Sequence, residues 1–174
     1  MLAAADQVLS TPRLRLRGFA VRDASPLNAL MERPGVPEWL KIARSDGPWA
    51  AWWRALRAGG ARARRYTITH AGEDRLIGLV GLSREGRLHY LIDPDLWGRG
   101  LATEAVGAAL SDVLCDPRVE RIEAEVFDAN PASARVLQKL GFAVRRRTRA
   151  QRIGYLYDEP ATVYGLTRTE GLAR

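Results

Sequence analysis

Residues 96–105 read LWGRGLATEA and place two glycines one position apart, just before an alanine-rich segment with helical spacing. The first backbone N–H groups of a helix have no partners within the helix and lie at the positive end of its dipole. Gly98 and Gly100 would let an anion approach those donors and would also permit positive φ in the loop. The stretch predicts a cradle for a diphosphate, with a plain tight turn as the alternative interpretation.

Two familiar nucleotide motifs do not fit this stretch. The dinucleotide fingerprint needs a third glycine at position 103, where the chain has threonine, and the Gly-Lys-Ser/Thr of the P-loop is absent. Folds of those types also begin with alternating strands and helices. Here the loop follows a series of strand patterns, so a different fold must hold the diphosphate.

Strand patterns dominate the chain before the loop. Period-2 alternation and turn residues predict strands at 11–19, 65–70, 74–83 and 86–94. Hairpin-length turns containing glycine separate the last three. These strands should therefore form an antiparallel meander.

Two helices are expected between the first strand and the meander. The pattern DASPLNALMER predicts a helix over 23–33 with Asp23 as its N-cap. A second helix is predicted over 45–60, where Trp49, Trp52 and Trp53 share one face. That aromatic face indicates core or groove packing, or a wall of a binding site.

After the loop, helical and strand patterns alternate. A helix over 101–116 leads to a strand over 119–127, and Pro131 and Gly141 bracket the next helix. Closing strands are expected over 142–149 and 161–168. The layout is an α+β fold in a single domain, 1–174.

Composition is that of an ordinary globular chain. With 174 residues and 47% hydrophobic content, it fits one domain, and no segment approaches the roughly 18 apolar residues of a membrane-spanning helix. The first ten residues do not resemble an export signal, so we expect a cytoplasmic protein without a membrane partner. The single cysteine, Cys115, lies in an apolar pattern that predicts buried packing.

The chain carries 27 basic and 20 acidic side chains, a net charge of +7 that favours anionic ligands. Local basic runs occur at 62–65 and 145–149. We interpret both as solvated loops or edge-strand faces. Aromatic residues are not interleaved with them, so no specific nucleic-acid partner is expected.

A second motif lies downstream, in the stretch EVFDANPASARVLQKLGF over 125–142. Together with TPRLRLR over 11–17 and PDLWGRGLATEA over 94–105, it resembles the GNAT superfamily of acetyl-coenzyme A (acetyl-CoA) dependent N-acetyltransferases. The similarity is greatest to the ribosomal-protein N-terminal acetyltransferase branch, of the RimJ/RimL type, and spans about residues 10–168. It implies a mixed, mostly antiparallel sheet of about six to seven strands flanked by helices, splayed between the fourth and fifth strands.

The resemblance also implies how coenzyme A would be held. The loop and first helical turn would bind the pyrophosphate, the strand before the loop would pair with the pantetheine arm, and Asn130 would bond to the arm from its other side. The residues assigned to coenzyme binding are Tyr90, Leu91, Ile92, Leu96, Trp97, Gly98, Arg99, Gly100, Leu101, Ala102, Thr103, Asn130 and Ser133. Asp95 cannot help to bind phosphate, so its side chain should point away.

Acetyl transfer to an amine needs a neutral nucleophile, a donor for the developing oxyanion and a proton for the leaving thiolate. The backbone N–H of Leu91 or Ile92 would supply the oxyanion donor. The resemblance places Glu125 where related enzymes have a carboxylate that deprotonates the amine through water. Many members have a proton-donating tyrosine where this chain has Leu137, so Ser133 becomes the candidate acid, with helix capping as its alternative role.

The acceptor is less well defined. Candidate acceptor contacts are Trp49, Tyr155, Tyr157 and Asp158, for which packing is the alternative role. A protein N-terminal amine is favoured by family analogy, and a polyamine, an aminoglycoside or another small amine is the alternative. A catalytically inert acyl-CoA-binding module is the other class, supported by Leu137 and by Arg87, where members often have an acid. No metal is expected, and the protein should be a monomer or a homodimer.

Overall fold

The computed structural model describes residues 8–36, 64–83, 85–151 and 158–173. The predicted helix over 45–60, with Trp49, Trp52 and Trp53, lies outside the described residues, as do Tyr155 and Tyr157. All element labels below refer to the described part of the chain.

The first half of the chain forms an antiparallel five-stranded sheet in sequential order. Its strands are β1 (Leu9–Ser10), β2 (Leu14–Arg17), β3 (Arg64–His70), β4 (Leu76–Leu82) and β5 (Leu88–Ile92). The meander predicted from the short turns is confirmed: β3 pairs with β4 and β4 with β5.

The second half forms a separate three-stranded sheet. It contains β6 (Arg121–Phe127), β7 (Ala143–Gln151) and β8 (Asp158–Thr167), with β8 in the centre and all pairings antiparallel. The expected splay is therefore present, between β5 and β6. Two-residue β1 was not predicted, so the fourth and fifth predicted strands are β5 and β6.

Four helices flank the sheets in the described residues. They are α1 (Ala24–Met31), α2 (Leu101–Leu114), α3 (Pro131–Lys139) and the short α4 (Arg168–Leu172). The main core packs α2 against one face of both sheets and includes Leu16, Ile68, Val106 and Ile122, each fully buried. Helix α1 packs on the opposite face, where Leu27 and Leu30 meet Leu76 in a smaller cluster.

Arg17 and Asp23 depart from the predictions. Strict alternation placed Arg17 on a solvated strand face, but only 6% of it is exposed, and its guanidinium bonds both carboxylate oxygens of Asp23 at 2.6 and 2.8 Å. Asp23 makes no capping bond to α1, because its carboxylate is committed to Arg17, the Ala20 N–H and the Thr67 hydroxyl. Asp23 thus occupies the predicted N-cap position, but its carboxylate neutralises a buried cation and does not cap the helix.

The predictions for Cys115 and for the described part of the basic run at 62–65 are also wrong. Cys115 is exposed at the end of α2 rather than buried, with its thiol 3.2 Å from the Ser111 carbonyl oxygen. The run at 145–149 lies on the exposed edge strand β7, as predicted. Arg64 and Arg65 of the other run instead lie half-buried on central strand β3, so the solvated interpretation is wrong for them.

Candidate functional site

The gap between the two sheets is the central feature of the site. Strands β5 and β6 touch only at their beginnings, through a parallel bridge between Arg87 and Glu123 and a 2.8 Å bond from the Glu123 N–H to the Gly86 carbonyl. Beyond that point they diverge. A cavity of about 770 Å³ runs through the opening and is lined from both faces of the sheet. We refer to the face packed on α2 as the α2 side and the face packed on α1 as the α1 side.

Strand β5 directs backbone groups that do not bond to β4 toward the gap. The Asp93 N–H bonds to Ile77 and the Ser83 N–H to Arg87, so odd-numbered residues bond to β4. The alternation of an antiparallel ladder then directs the N–H and C=O groups of Tyr90 and Ile92 toward the gap. The Leu91 amide faces β4. Of the two oxyanion donors left open by the sequence, the ladder therefore favours Ile92.

The glycine loop lies at the α2 side of the gap, where it leads directly into α2. Gly98 and Gly100 have φ of +75° and +77°, a region that side-chain-bearing residues rarely occupy. Gly100 is the N-cap of α2 and, lacking a side chain, leaves its first turn uncapped. A Cβ at Gly98 would meet no atom within 4 Å, so the loop surface is open. Glycine is thus required here by conformation, and the exposed amides remain accessible to an anion.

Not every amide of the predicted cradle is available. The Leu96 N–H bonds to the Asp93 carbonyl at 2.9 Å and the Trp97 N–H to the Pro94 carbonyl at 3.1 Å, within a short 3₁₀ turn. The indole of Trp97 donates to the Ile92 carbonyl at 2.8 Å. The available donors are therefore those from Gly98 through the first turn of α2, which includes Leu101, Ala102 and Thr103.

Side chains from segments that are remote in the sequence support the loop. Arg33, just after α1, bonds Asp93 at 2.6 Å and Asp95 at 2.8 Å, which holds the Asp95 carboxylate in an ion pair away from the amides. Arg13 donates to the Arg99 carbonyl at 3.0 Å, on the other flank.

Glu104, in the first turn of α2, connects this helix to the segment before β2. It accepts bonds from the Thr11 hydroxyl at 2.6 Å and from Arg13, both through its backbone N–H and its guanidinium. Burial raises the pKa of Glu104, but these bonds outweigh it and give a net downward shift. Glu104 therefore stays ionised and fastens the beginning of α2 to the segment before β2.

The N-terminus of α3 closes the α2 side of the gap. Asn130 is the N-cap, and its side-chain oxygen accepts from the Ser133 N–H at 3.0 Å. The Ser133 hydroxyl takes no part in capping and lies 2.5 Å from the Tyr90 hydroxyl. The Tyr90 hydroxyl also donates a hydrogen bond to the Ser133 carbonyl oxygen at 3.1 Å. Burial raises the pKa of Tyr90 to about 12, partly offset by Ser133. A neutral phenol thus joins β5 to α3 across the gap.

Glu125 lines the cavity from β6, on the side opposite Ser133. Its neighbours Ala124 and Val126 belong to the core around α2, so the alternation of the strand turns Glu125 toward the α1 side. Glu123, on the same face, lies within 3.5 Å of Arg121 and Arg146. His89 also lines the cavity and is exposed.

Of the sequence-based acceptor residues, only Asp158 lies in the described part of the chain. Asp158 is exposed at the start of β8 and is not among the residues lining the cavity. The described part of the α1 side is instead lined by Leu27, Met31, Arg65, Leu79 and Leu91, of which only Leu91 was predicted. Arg135 and Lys139 of α3 were also missed. Both residues lie in the motif over 125–142, and their spacing of about one helical turn could have indicated a shared basic face on α3.

The described residues were compared with what a metal site and a membrane-spanning helix require. No group of three or more His, Cys, Asp or Glu side chains is placed to hold a metal ion in that part of the chain. Among the helices of the described ranges, none has the length and apolar character to cross a membrane.

Comparison with known proteins gives consistent matches. The model of the acetyltransferase (GNAT) domain family matches residues 13–143, more than half of the chain. The uncharacterised N-acetyltransferase YoaA of Bacillus subtilis (strain 168) is 27% identical over 150 residues, which cover 78% of this chain and 82% of the relative.

Solved structures share the fold at low sequence identity. The spermidine N-acetyltransferase from Vibrio cholerae, in complex with CoA and spermine, superimposes with a TM-score of 0.77 at 16% identity, covering 93% of this chain and 99% of that one. RimJ of Mycobacterium smegmatis, in complex with CoA-disulfide, gives a TM-score of 0.78 at 21% identity, covering 94% and 87%.

Proposed function

Since this chain belongs to the GNAT acetyltransferase family, we propose that it transfers the acetyl group of acetyl-CoA directly to a primary amine, without a covalent enzyme intermediate. A protein N-terminal amine is the favoured acceptor. The observation that carries the proposal is the placement of two proton-transfer candidates on opposite sides of one gap: Ser133 on the α2 side and Glu125 on the α1 side.

The α2 side fits the coenzyme. The amides from Gly98 to Thr103 would hold the pyrophosphate. The N–H and C=O groups of Tyr90 and the N–H of Ile92 would pair with the pantetheine arm as a further strand. The Asn130 side chain uses its oxygen for the cap, which leaves its N–H donors for the arm. Arg135 and Lys139 add positive charge to this side of the cavity.

Acetyl-CoA supplies an activated thioester, and the chain supplies the proton transfers and the charge stabilisation. Glu125 would accept a proton from the amine, directly or through one water. The Ile92 N–H, aimed into the gap, would stabilise the carbonyl oxygen as negative charge develops on it. Ser133 would donate a proton to the departing sulfur, and its hydroxyl is held by Tyr90 at 2.5 Å. Base and acid thus act from opposite sides of the acetyl group.

The described part of the α1 side has the properties of an acceptor site. Leu27, Met31, Leu79 and Leu91 form an apolar wall, and Glu125 is the carboxylate beside the gap. Such a surface suits the side chain of an amino-terminal residue next to its amine. A polyamine, with several charges and no apolar side chain, matches this wall less well.

Release of free CoA thiol tests the proposal. The protein is incubated with acetyl-CoA and a panel of amines that includes short peptides, spermidine, an aminoglycoside and free amino acids, and the acetylated products are identified by mass spectrometry. We expect acceptor-dependent release with at least one α-amine and no acetylated protein in single-turnover samples. Tight binding of acetyl-CoA without release by any amine would instead identify an inert coenzyme-binding module.

A further inference from the structure

Arg65 occupies an unusual position on central strand β3. Its neighbour Tyr66 faces α2, with its hydroxyl bonded to Asp112, so Arg65 faces the α1 side. It is half-buried and lines the cavity together with Gly81 and His89. The sequence run at 62–65 gave no sign of this, because consecutive arginines on a strand point to opposite faces.

No carboxylate among the described residues forms an ion pair with Arg65. By contrast, Arg17 on the same face is bonded to Asp23 and Asp74, and Arg64 on the other face lies 3.4 Å from Asp112. Burial lowers the pKa of the Arg65 guanidinium, which nevertheless remains charged at neutral pH. A partly desolvated cation that has no counter-ion among the described residues is stabilised when an anion meets it.

The strand register directs Arg65 toward the reaction centre. Arg65 is opposite Gly81 on β4, and Gly81 is opposite His89 on β5. On the far side of the gap, the parallel bridge between Arg87 and Glu123 fixes where β6 begins, and Glu125 lies two residues further along β6, as His89 lies two residues beyond Arg87 on β5. With neighbouring strands about 4.8 Å apart, the backbones of Arg65 and His89 are separated by roughly 10 Å.

Because Gly81 has no side chain, the side chain of Arg65 can lie over β4. A Cβ at Gly81 would lie 3.3 Å from the Arg65 Cγ and 3.9 Å from its Cβ, tighter than most natural contacts. The side chain thus lies against a strand position that carries no side chain of its own, on the same face of the sheet as Glu125. At least three strand spacings of about 4.8 Å separate the backbones of Arg65 and Glu125, and an acceptor would span the part of this distance that the two side chains do not.

We propose that Arg65 is an acceptor subsite for a carboxylate, so that the natural acceptor is an amine that carries a carboxylate near its reactive nitrogen. This inference rests on the proposed function. Two sources supply the chemistry: a free α-amino acid, and a peptide N-terminus with an acidic side chain in its first residues. The guanidinium would bind either carboxylate through two N–H donors. Polyamines, which carry only positive charge, are disfavoured by the same cation.

Matched pairs of acceptors test the subsite. Leucine is compared with leucinamide for the free amino acid, and the peptide amide Ala-Asp-Ala with Ala-Asn-Ala for the peptide, by kcat/KM. In the wild type the carboxylate member of one pair should be preferred by about 10- to 100-fold, the range expected for a charged hydrogen-bonded pair. The pair that shows the preference identifies the source. Equal use of both members in both pairs, or preference for spermidine, would overturn the inference.

Variants connect the preference to Arg65. Arg65→Gln should reduce the ratio to near one, and Arg65→Lys should retain part of it. Arg75→Gln changes an exposed arginine just before β4 that does not line the cavity, and it should leave the ratio unchanged. Because Arg65 has no ion pair in the described residues to lose, Arg65→Gln should melt at or above the wild-type temperature. A lower melting temperature together with an unchanged ratio would show that Arg65 is structural.

Calorimetry separates this inference from the proposed function. The CoA-loaded wild type and Arg65→Gln are titrated with the two carboxylate acceptors, without turnover. Binding that is weakened about 10-fold or more by the substitution supports the subsite even if no amine releases thiol, in which case only the proposed function fails. Turnover with binding that does not depend on Arg65 would remove the subsite and leave the acetyltransferase proposal intact.

Discussion

The α2 side of the cavity is formed mainly by backbone, and the α1 side by side chains. One contiguous loop, from Gly98 into the first turn of α2, supplies the amides on the first side. The other side takes Leu27 from α1, Arg65 from β3, Leu91 from β5 and Glu125 from β6. A diphosphate can therefore be recognised with little dependence on side-chain identity, whereas the acceptor is recognised by residues that are far apart in the sequence.

The two sides also differ in how they are held. The loop is fastened by ion pairs that lie partly in solvent, such as Arg33 with Asp93 and Arg13 with Glu104. Helix α1 is instead connected to the sheet through the buried pair of Arg17 and Asp23, with side-chain exposures of 8% and 2%. Exposed pairs contribute little, but losing one member of a buried pair is costly. The α1 side should therefore be the more sensitive to a single substitution.

The largest effect is expected for Asp23→Asn. The substitution leaves Arg17 buried without its main counter-charge, which should lower the free energy of unfolding by about 3–5 kcal/mol in urea titrations. Asp74→Asn removes the other, half-exposed partner of Arg17 and should cost no more than about 1 kcal/mol. Similar losses in the two variants would contradict the distinction between a buried and a solvated support.

The pair of Arg17 and Asp23 also predicts that the free energy of unfolding falls at acid pH, which we call the acid limb of the stability profile. Burial raises the pKa of Asp23, but its bonds to Arg17 and to the Ala20 N–H outweigh this and make the net shift downward. A carboxyl with a lowered folded-state pKa stabilises the fold above its unfolded pKa, and this stabilisation is lost as pH falls through the folded value. The wild type should lose this contribution only below about pH 4, the ordinary range of aspartate. In Asp23→Asn that part of the acid limb should be absent.

Next in size is the effect of Glu125→Gln on turnover. Loss of a general base typically costs about 100-fold or more in kcat. The deficit should be greatest at low pH and should shrink as pH rises, because more of the acceptor amine is then already neutral. Glu123→Gln, two residues away on the same face and paired with Arg121 and Arg146, is the matched control and should retain most activity. A pH–rate profile of Glu125→Gln that coincides with the wild type would exclude the assigned role.

Gly100→Val tests the α2 side. Positive φ costs a residue with a side chain about 1–2 kcal/mol, and a valine would also cover the amides, so we expect acetyl-CoA affinity to fall at least about 10-fold by calorimetry. Gly72→Val is the control, because Gly72 has φ of +82°, lies in a turn away from the cavity and has open space where a Cβ would stand. Both variants should lose stability, but only Gly100→Val should lose affinity. Equal affinities would show that the loop is only a turn.

The difference between the two sides of the cavity also explains which features could be predicted from the sequence. The strand order, the helix over α2 and the glycine loop were predictable, since each depends on a local pattern within a dozen residues. The donor set of the loop was predicted too broadly, because the bonds of Leu96 and Trp97 within their own turn leave no local pattern.

Side chains whose surroundings depend on the whole fold were predicted poorly. Asp23 was interpreted as a helix cap because its position in the chain suits one, and only the fold shows Arg17 beside it. Arg65 was placed on a solvated face because nothing local distinguishes it from Arg64. The contact of Tyr90 with Ser133 joins residues 43 apart in the chain, and the sequence assigned only the Tyr90 backbone. Such pairings require three-dimensional information.

That contact, on the α2 side of the cavity, gives the smallest predicted effect. Tyr90→Phe removes the phenol's hydrogen bonds to the Ser133 hydroxyl and carbonyl and keeps the ring. Because only the bond to the hydroxyl acts on the proposed acid, kcat should fall only about 2- to 10-fold, the value of a typical net hydrogen bond. Because the pKa of Tyr90 is raised to about 12 by burial, the phenol stays neutral over the working range, and the pH profile of the variant should keep its shape. Ser133→Ala should cost more, since it removes the proposed proton donor itself. A Tyr90→Phe variant slower than Ser133→Ala would reverse the assignment and make the phenol the acid, with Ser133 as its positioning partner.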